Sequence, residues 1–343
     1  MHPASRFRAA LRARRLPAFA AAALLLAACQ DSPMGPDSPP QDGRKPGGTT
    51  PVSPLAGAVL YVDPASSARR QADAWRITRP ADAAALDKVA SHAQGQWFGG
   101  WNADVRADAD RATSAAVAAG AVPVFVAYNI PQRDCGGLSG GGGATPDAYR
   151  AWVAALADGI GARRAVVIVE PDALAMMDCL SAADQQVRVE LLRHAVGVLR
   201  AKGKISVYLD AGHSRWHSAA TMADRLKRAD VASAAGFALN VSNFQTTASN
   251  LTYGEELSRA AGGKRFVIDT SRNGVGPTPD SQWCNPDGRA LGAAPTTSTG
   301  HALADAFLWV KRPGESDGAC NGGPAAGQWW AEYALGLARR ASW

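Results

Sequence analysis

The sequence predicts an α/β protein, a distorted parallel (β/α) barrel of seven to eight strands that is TIM-barrel-like. After residue 55, short runs of consecutive apolar residues alternate with alanine-rich segments of helical spacing. Continuous apolar strands that are each followed by a helix are typical of a parallel sheet covered on both faces. Seven or eight such units favour a barrel. The rival, an open doubly wound sheet, is disfavoured because no GxGxxG motif follows a predicted strand.

Eight segments have the composition of buried strands. In chain order they are AVLYVDP (58–64), QWFGG (96–100), AVPVFVAYNIP (121–131), AVVIVEPD (165–172), ISVYLDAG (205–212), GFALNVSN (236–243), RFVIDTSRNG (265–274) and AFLWVK (306–311). Apolar residues at helical spacing predict helices between most of them, near 104–119, 146–162, 184–202, 215–229 and 325–340. In a parallel barrel, the carboxyl ends of all these strands share one rim.

Residues 1–28 are predicted to be a lipoprotein-type signal peptide. The segment has a basic start, an apolar stretch too short to span a bilayer as a mature helix, and small residues before Cys29. The ending LAAC resembles the bacterial lipoprotein signal, which implies that Cys29 carries the lipid. An ordinary secretory signal cut nearby is the alternative. The protein is therefore expected to be exported and lipid-anchored at the bacterial cell envelope, at the outer membrane or cell surface, or else secreted.

Two further regions follow the signal. Residues 29–54 are rich in Pro, Gly, Ser and Asp and predict a disordered linker, and residues 55–343 predict a single catalytic barrel domain. The formal net charge of +6 comes almost entirely from five arginines within the first fifteen residues. Because the rest of the chain is close to neutral, it offers no basic surface for nucleic acid.

Four cysteines remain if Cys29 carries lipid: Cys135, Cys179, Cys284 and Cys320. An even number in an oxidising compartment favours disulfides, and no CxxC spacing suggests a zinc site. Taken by themselves, these positions leave all three pairings open.

Polar and aromatic residues follow nearly every predicted strand. They include Trp97, Tyr128 with Asp134, Glu170 with Asp172, Asp210 with His213, Asn240 with Asn243, Asp269 with Arg272, and Lys311 with Glu315 and Asp317. On one barrel rim these residues would form a carboxylate-rich cleft, and barrel active sites are built on that rim. Trp97, Trp101, Trp216 and Trp283 lie in or beside strand-end loops, either as sugar-stacking platforms or as core filling.

Several carboxylates in one cleft shift one another's pKa values apart, so that some are ionised while another keeps its proton near neutral pH. This combination suits hydrolysis of a glycosidic bond. Indole rings support the same interpretation, because their faces can stack on the apolar faces of sugar rings.

Six segments together resemble glycoside hydrolase family 6, the inverting cellulases. They are VAYNIPQRDCGGLSGGG, VIVEPDAL, YLDAGHSRWH, VIDTSRNG, QWCNPDGRALG and AFLWVKRPGESDG, in the family's order and at similar spacing. The resemblance extends from about residue 58 to the C-terminus. It implies a distorted barrel of seven parallel strands and inverting hydrolysis of β-1,4-glucan. No cofactor and no metal are expected.

The resemblance also implies roles for individual residues. Asp172 would be the general acid, Asp134 would support it and organise the water, and Asp317 would be the base, with the proton moving through a water chain. The implied substrate-binding residues are Trp97, Tyr128, Asp210, His213, Trp216, Asn240, Asn243, Arg272, Trp283, Lys311 and Glu315. This chain departs from the family pattern at Gly99 and Gly100, where members of the family often have bulkier polar residues.

Inversion requires a water between acid and base, so the Asp172 and Asp317 carboxyls are expected to be at least roughly 6.5 to 9.5 Å apart. The resemblance pairs Cys135 with Cys179 and Cys284 with Cys320, which would brace the loops that carry Asp134 and Asp317. The loops after Asp172 and before Lys311 are short, which favours an open cleft and internal cuts in β-1,4-glucan, the action of an endoglucanase.

Several alternatives remain open. His213 and His217 have an i, i+4 spacing that zinc ligands can adopt, and Lys311 could be a Schiff-base lysine. Two alternatives concern the function as a whole: an exo-acting cellobiohydrolase of the same family, and a catalytically silent glucan-binding surface lipoprotein. The expected partner is a β-1,4-glucan polysaccharide or oligosaccharide, the only expected membrane contact is through an N-terminal lipid, and the protein is expected to be a monomer.

Overall fold

The computed structural model describes residues 52–343. Seven parallel strands form one sheet in the chain order β1 to β7. Their bounds are β1 Gln96–Phe98, β2 Val124–Ala127, β3 Ala165–Val169, β4 Ile205–Asp210, β5 Gly236–Leu239, β6 Arg265–Asp269 and β7 Ala304–Leu308. The predicted fold class is confirmed, with seven strands rather than eight.

Alternate residues of each strand face two different cores. Val166 and Ile168 of β3 point into the barrel, where they meet Val126 and Tyr208 of the neighbouring strands. Val167 belongs instead to the larger core between the strands and the surrounding helices. Because both faces are buried, the strands need apolar residues at every position, which explains their uninterrupted apolar runs.

Eight α-helices surround the sheet in the described part of the chain. They are α1 Ser67–Trp75, α2 Pro80–Ala90, α3 Val105–Ala118, α4 Pro146–Ile160, α5 Ala182–Arg200, α6 Ala219–Arg228, α7 Thr247–Ala260 and α8 Ala331–Arg339. Many begin after a side chain that accepts a hydrogen bond from a free backbone N–H. Thr145 caps α4, which has Pro146 in its first turn, and Ser181 caps α5.

The barrel is not closed by a full strand ladder. Within residues 52–343, no strand pairing joins β7 to β1. The seam is held by the backbone N–H of Gly95, which donates to Trp309 O at 2.8 Å, and by Trp97 Nε1, which donates to Val310 O at 2.9 Å. The barrel is therefore distorted at this seam, and a tryptophan at the rim helps to hold it together.

The predicted strand at 58–64 is wrong. Only Leu60 pairs, with Val122, in an isolated parallel bridge. The edge of β2 from Phe125 onward is already occupied by β1, so the segment has no edge along which to extend a ladder. Val59 accordingly stays 66% exposed despite its apolar side chain.

The other predicted elements are found with shifted ends, and the structure adds the helices α1, α2 and α7. The predicted signal peptide, the lipid site at Cys29 and nearly all of the predicted linker lie outside the described residues. Among the residues described, no helix is long and apolar enough to cross a membrane.

Candidate active site

A cavity of about 990 Å³ opens at the carboxyl ends of the strands. Most of the predicted site residues line it: Trp97, Tyr128, Asp134, Asp172, His213, Trp216, Asn243, Trp283, Lys311, Glu315 and Asp317. These residues come from strand ends and loops spread over more than 200 positions of the sequence, and the barrel brings them to one mouth.

Three predicted binding residues lie below the cleft surface instead. Asn240 and Arg272 are 0% exposed and Asp210 is 1% exposed. The Asn240 side-chain amide donates to Asp269 O at 2.9 Å and its Oδ1 accepts from the Gln245 N–H. The side chains of these three residues therefore lie beneath the cleft surface.

The segment after β3 turns sharply at its two acids. Glu170 has φ +50° and Asp172 has φ +70°, both in the left-handed region that L-residues other than Asn and Asp seldom adopt. The Glu170 carboxylate accepts hydrogen bonds from the backbone N–H groups of Asn129 and Ile130 at 2.9 to 3.0 Å. Glu170 therefore fixes the start of the loop after β2, and Asp172 is left to face the cleft.

Asp210 and Asp269 do the same at other strands. Asp210 Oδ2 accepts from the N–H groups of Asp172 and Gly212, both at 3.0 Å. Asp269 Oδ2 accepts from Ser242 N at 3.0 Å and from Lys311 N at 2.9 Å. Glu170, Asp210 and Asp269 are named here the amide-binding carboxylates, because each joins the backbone of a neighbouring rim loop to its own strand.

Burial is the largest influence on the pKa values of the amide-binding carboxylates. It raises the pKa of Glu170 to about 7 and that of Asp210 to about 7, although the amide N–H donors act in the opposite direction. The sequence pattern identifies Glu170 and Asp269 only as strand-end acids. The available signal was their position, since each is the last residue of a strand or follows it directly.

Asp172 is partly exposed to the cleft and has three other acids nearby. Burial raises its pKa well above the ordinary value of an aspartate, and the charges of Asp210, Asp134 and Asp317 raise it further. An aspartate in this setting keeps its proton at a pH at which an exposed aspartate is ionised. Asp172 can therefore donate a proton.

Asp317 has the opposite environment. Arg272 Nη1 donates to Asp317 Oδ2 at 2.8 Å, Asn285 N donates to the same oxygen at 3.0 Å, and Lys311 Nζ lies 3.3 Å from Oδ1. Burial by itself raises the pKa of Asp317, but the two cations outweigh it and the net shift is downward. The pKa values of Asp172 and Asp317 are therefore shifted in opposite directions within one cleft.

Asp134 lies at the start of a short 3₁₀ turn, with φ +55°. Its Oδ2 accepts from Ser139 N at 2.8 Å, which fixes the carboxylate within its own loop. Disulfides join Cys135 to Cys179 and Cys284 to Cys320. The predicted pairing is thus found, and each bridge begins or ends near a loop that carries Asp134 or Asp317.

The loops that carry Asp134 and Asp317 also touch each other. The side chain of Leu138 lies against the backbone of Gly318, where an added Cβ would fall 2.6 Å from Leu138 Cδ1. Gly318 has φ +152° and no side chain, so it admits this close approach. The two loops are therefore in apolar contact next to Asp317.

Aromatic rings form the walls of the cleft. Trp97 meets Tyr128 edge to face at 5.1 Å between ring centroids, and His213 lies 5.3 Å from Trp216. Trp283 is 53% exposed. Partly exposed indoles around buried carboxyls make a surface suited to flat, apolar faces with polar edges.

The histidine spacing does not build a metal site in the described residues, which contain no cluster of three His, Cys, Asp or Glu side chains suited to a metal ion. His217 Nε2 lies 2.7 Å from Ala175 O. Burial lowers the pKa of His213 to about 4, and His217 and Arg215 add to the effect. The Schiff-base alternative concerns Lys311. Its Nζ lies 3.3 Å from Asp317 Oδ1 and donates a hydrogen bond to Ser316 O at 3.2 Å, so the ammonium group is held by an ion pair.

Comparisons with known proteins agree with this geometry. The family model described as "Glycosyl hydrolases family 6" matches residues 55–341. Endoglucanase A of Cellulomonas fimi is 49% identical over 293 residues, which cover 84% of this chain and 63% of that protein. Endoglucanase 1 of Streptomyces halstedii is 45% identical over 287 residues, 80% of this chain and 87% of that protein.

A solved structure is also similar. The endoglucanase Cel6 from Mycobacterium tuberculosis, in complex with methyl-cellobiosyl-4-deoxy-4-thio-β-D-cellobioside, has 51% sequence identity and a TM-score of 0.79. The match covers 84% of this chain and 99% of that one. This chain spans less than two thirds of the Cellulomonas relative. On the family match and these identities, the chain belongs to the glycosyl hydrolases of family 6.

Proposed function

We propose that the protein is an inverting endo-β-1,4-glucanase that cleaves internal bonds of cellulose or a related β-glucan. The observation that carries this proposal is the pairing of Asp172, whose pKa is raised, with Asp317, whose pKa is lowered, in one aromatic-walled cleft. A proton-donating carboxyl and an ionised carboxylate are the pair that glycoside hydrolysis uses, and the inverting course is proposed from the resemblance to the inverting cellulases. Endo action is also supported by the relatives, which are named endoglucanases.

In this proposal the carboxyl of Asp172 gives its proton to the departing glycosidic oxygen as the bond to the anomeric carbon breaks. A water on the opposite face of the sugar attacks that carbon and loses its proton towards Asp317. The water needs a gap of roughly 6.5 to 9.5 Å between the two carboxyls. Asp134 would position the water and keep the Asp172 pKa high, since its charge is one of the causes of that shift.

The remaining predicted residues divide into two groups. Trp97, Tyr128, His213, Trp216, Asn243, Trp283, Lys311 and Glu315 line the cleft and are proposed to bind the glucan. Asp210, Asn240 and Arg272 are proposed to act through others. Asp210 holds the Asp172 backbone, and Arg272 keeps Asp317 ionised.

An exo-acting cellobiohydrolase is the second candidate, and one observation favours it. The loops that carry Asp134 and Asp317 touch each other at Leu138 and Gly318, and a roofed cleft would require contacts between loops of this kind. The endo proposal is preferred because the relatives at 45 to 51% identity are named endoglucanases. A single apolar contact is also weak enough to open, at about 1 kcal/mol.

Two measurements test the proposed function. Viscometry on carboxymethylcellulose should show a steep fall in viscosity for few reducing ends released, because internal cuts shorten chains most. Proton NMR of the first product should show the α anomer. Sugar release with little loss of viscosity would favour the exo candidate, and a β anomer would reject inversion.

We also propose that the exported protein is a monomer anchored through lipid on Cys29. Cys29→Ala should move the protein from the membrane fraction to the soluble fraction while its specific activity is unchanged. Equal partition of wild type and variant between the two fractions would contradict the anchor.

A further inference from the structure

Trp101 is an exposed aromatic residue of the cleft wall, for which the sequence leaves sugar stacking and core filling both open. Its side chain is 56% exposed and lines the cavity together with Trp97 and Tyr128. A tryptophan that fills a core is mostly buried, as Trp309 of this protein is at 1% exposure. An exposed indole in a cleft therefore needs another explanation than packing.

The backbone that carries Trp101 is a tight turn. Asn102 N donates to Gly99 O at 3.1 Å, and Gly99 N donates to the Asn102 side-chain Oδ1 at 3.0 Å. The Asn102 amide in turn donates to Asp108 Oδ2 at 2.7 Å, which ties the turn to helix α3. Trp101 thus extends from a braced turn rather than from a loose loop tip.

Gly99 decides where the indole lies. A Cβ at this position would fall 2.4 Å from the six-membered ring of Trp101. The indole therefore lies directly against the glycine, and one ring face is supported there while much of the residue stays open to the cleft. Members of the resembled family often have a bulkier polar residue at this position, and such a residue would exclude this placement of the Trp101 ring.

Arg133 provides a second support. Its guanidinium carbon lies 5.4 Å from the centroid of the Trp101 ring and 4.4 Å from that of Tyr128. The guanidinium is itself fixed, since it donates to Ser139 O at 2.8 Å, Tyr128 O at 2.6 Å and Gly140 O at 3.2 Å. Trp101 is therefore linked through a held cation to the Tyr128 side of the catalytic cleft.

We propose that Trp101 is an additional stacking platform that extends the cleft by one glucosyl subsite beyond those served by Trp97 and Tyr128. The proposal rests on the proposed glucanase function and specifies which residue sets the length of chain that the cleft holds. A rigid, pre-positioned indole loses little conformational freedom when a sugar ring stacks on it. Trp101 would therefore act on long substrates and leave short ones unaffected.

The test measures binding of cellotriose and cellohexaose by calorimetry in an Asp172→Asn background, in which cleavage of the ligands is strongly slowed. Trp101→Ala should weaken cellohexaose binding about fivefold, as expected for one aromatic stacking contact, and leave cellotriose binding unchanged. Trp101→Phe should restore most of the loss. Trp343→Ala is the matched control, because this tryptophan lies outside the cleft, and it should change neither affinity.

A second variant keeps the indole and moves it. Gly99→Ala places a methyl group where the ring lies, so it should reproduce the selective loss for cellohexaose with Trp101 intact. Equal affinities of wild type and Trp101→Ala for cellohexaose, or an equal loss for both ligands, would overturn the subsite while glucanase activity persists. A parent protein that neither cleaves carboxymethylcellulose nor binds cellohexaose would instead reject the proposed function, and the subsite with it.

Discussion

The rim of the barrel carries two kinds of carboxylate that look alike in the sequence. The amide-binding carboxylates, Glu170, Asp210 and Asp269, are at most 1% exposed and accept backbone N–H groups of neighbouring loops. The cleft-lining carboxylates, Asp134, Asp172 and Asp317, lie farther along the loops and border the cavity. The first kind builds the rim, and the second kind is available for chemistry.

The difference follows from position relative to the strand end. A side chain at the last residue of a strand, or directly after it, lies level with the first amides of the adjacent loops, so its oxygens satisfy them. An acid that comes two or more residues later has left that layer and can reach the cleft. Glu170 and Asp172 show the contrast two residues apart, with Pro171 between them.

The largest expected effect separates the two kinds by activity. Asp172→Asn should lower kcat on cellulose about 10³-fold, because the amide cannot donate the acid's proton. The melting temperature should be unchanged or slightly higher, since the variant removes a buried acid whose pKa is raised. The kcat values of wild type and Asp172→Asn are measured on carboxymethylcellulose. Binding of cellohexaose to both proteins is the control for an intact cleft. Near-native turnover would reject Asp172 as the acid.

The second prediction concerns the amide-binding kind. Asp269→Ala leaves the N–H groups of Ser242, Lys311 and Ser271 without their acceptor, so the free energy of unfolding should fall by about 3 kcal/mol. Urea denaturation measures it, with the exposed Asp280→Ala as the matched control. If Asp269→Ala unfolded at the same urea concentration as the control, the division of the rim into two kinds would fail.

The third and smallest effect is a shift in pH dependence. Lys311→Met removes a cation 3.3 Å from Asp317 Oδ1 and should raise the pKa of that base. The acidic limb of the kcat profile should then move to higher pH, because the base becomes protonated earlier as pH falls. Lys311→Arg keeps the charge and should keep the limb in place. An unmoved acidic limb in Lys311→Met would count against Asp317 as the base.

The same variant has a signed effect on stability. The folded pKa of Asp317 is below its unfolded value, so the ionised group stabilises the protein above the unfolded pKa and loses that contribution as pH falls through the folded pKa. Lys311→Met should reduce the contribution at neutral pH. Melting curves between pH 7 and pH 3 measure it.

The sequence predicted strands β1 to β7 well because buried parallel strands require apolar residues on both faces. It failed for helix α7, whose core-facing side includes Asn250 and Ser258. The Asn250 side-chain amide bonds Gln245 O and Thr246 O, so a polar residue is satisfied inside the core and interrupts the apolar period. Such tertiary hydrogen bonds leave no signal in local spacing.

The candidate site was foreseen in its composition but not in its layers. Strand-end positions predicted that the acids share one rim, and the family resemblance singled out Asp134, Asp172 and Asp317. Neither source placed Arg272 beneath Asp317, because that ion pair joins the loops after β6 and β7 across 45 residues of chain. Loop conformation of this kind is set by long-range contacts, which periodicity does not report.

The contact between Leu138 and Gly318 makes one glycine matter to two catalytic loops. A Cβ at position 318 would fall 2.6 Å from Leu138 Cδ1, so any other residue there would press against the loop that carries Asp134. A single methyl group at Gly318 would therefore disturb the loops of Asp134 and Asp317 together, although neither Leu138 nor Gly318 carries a reactive group.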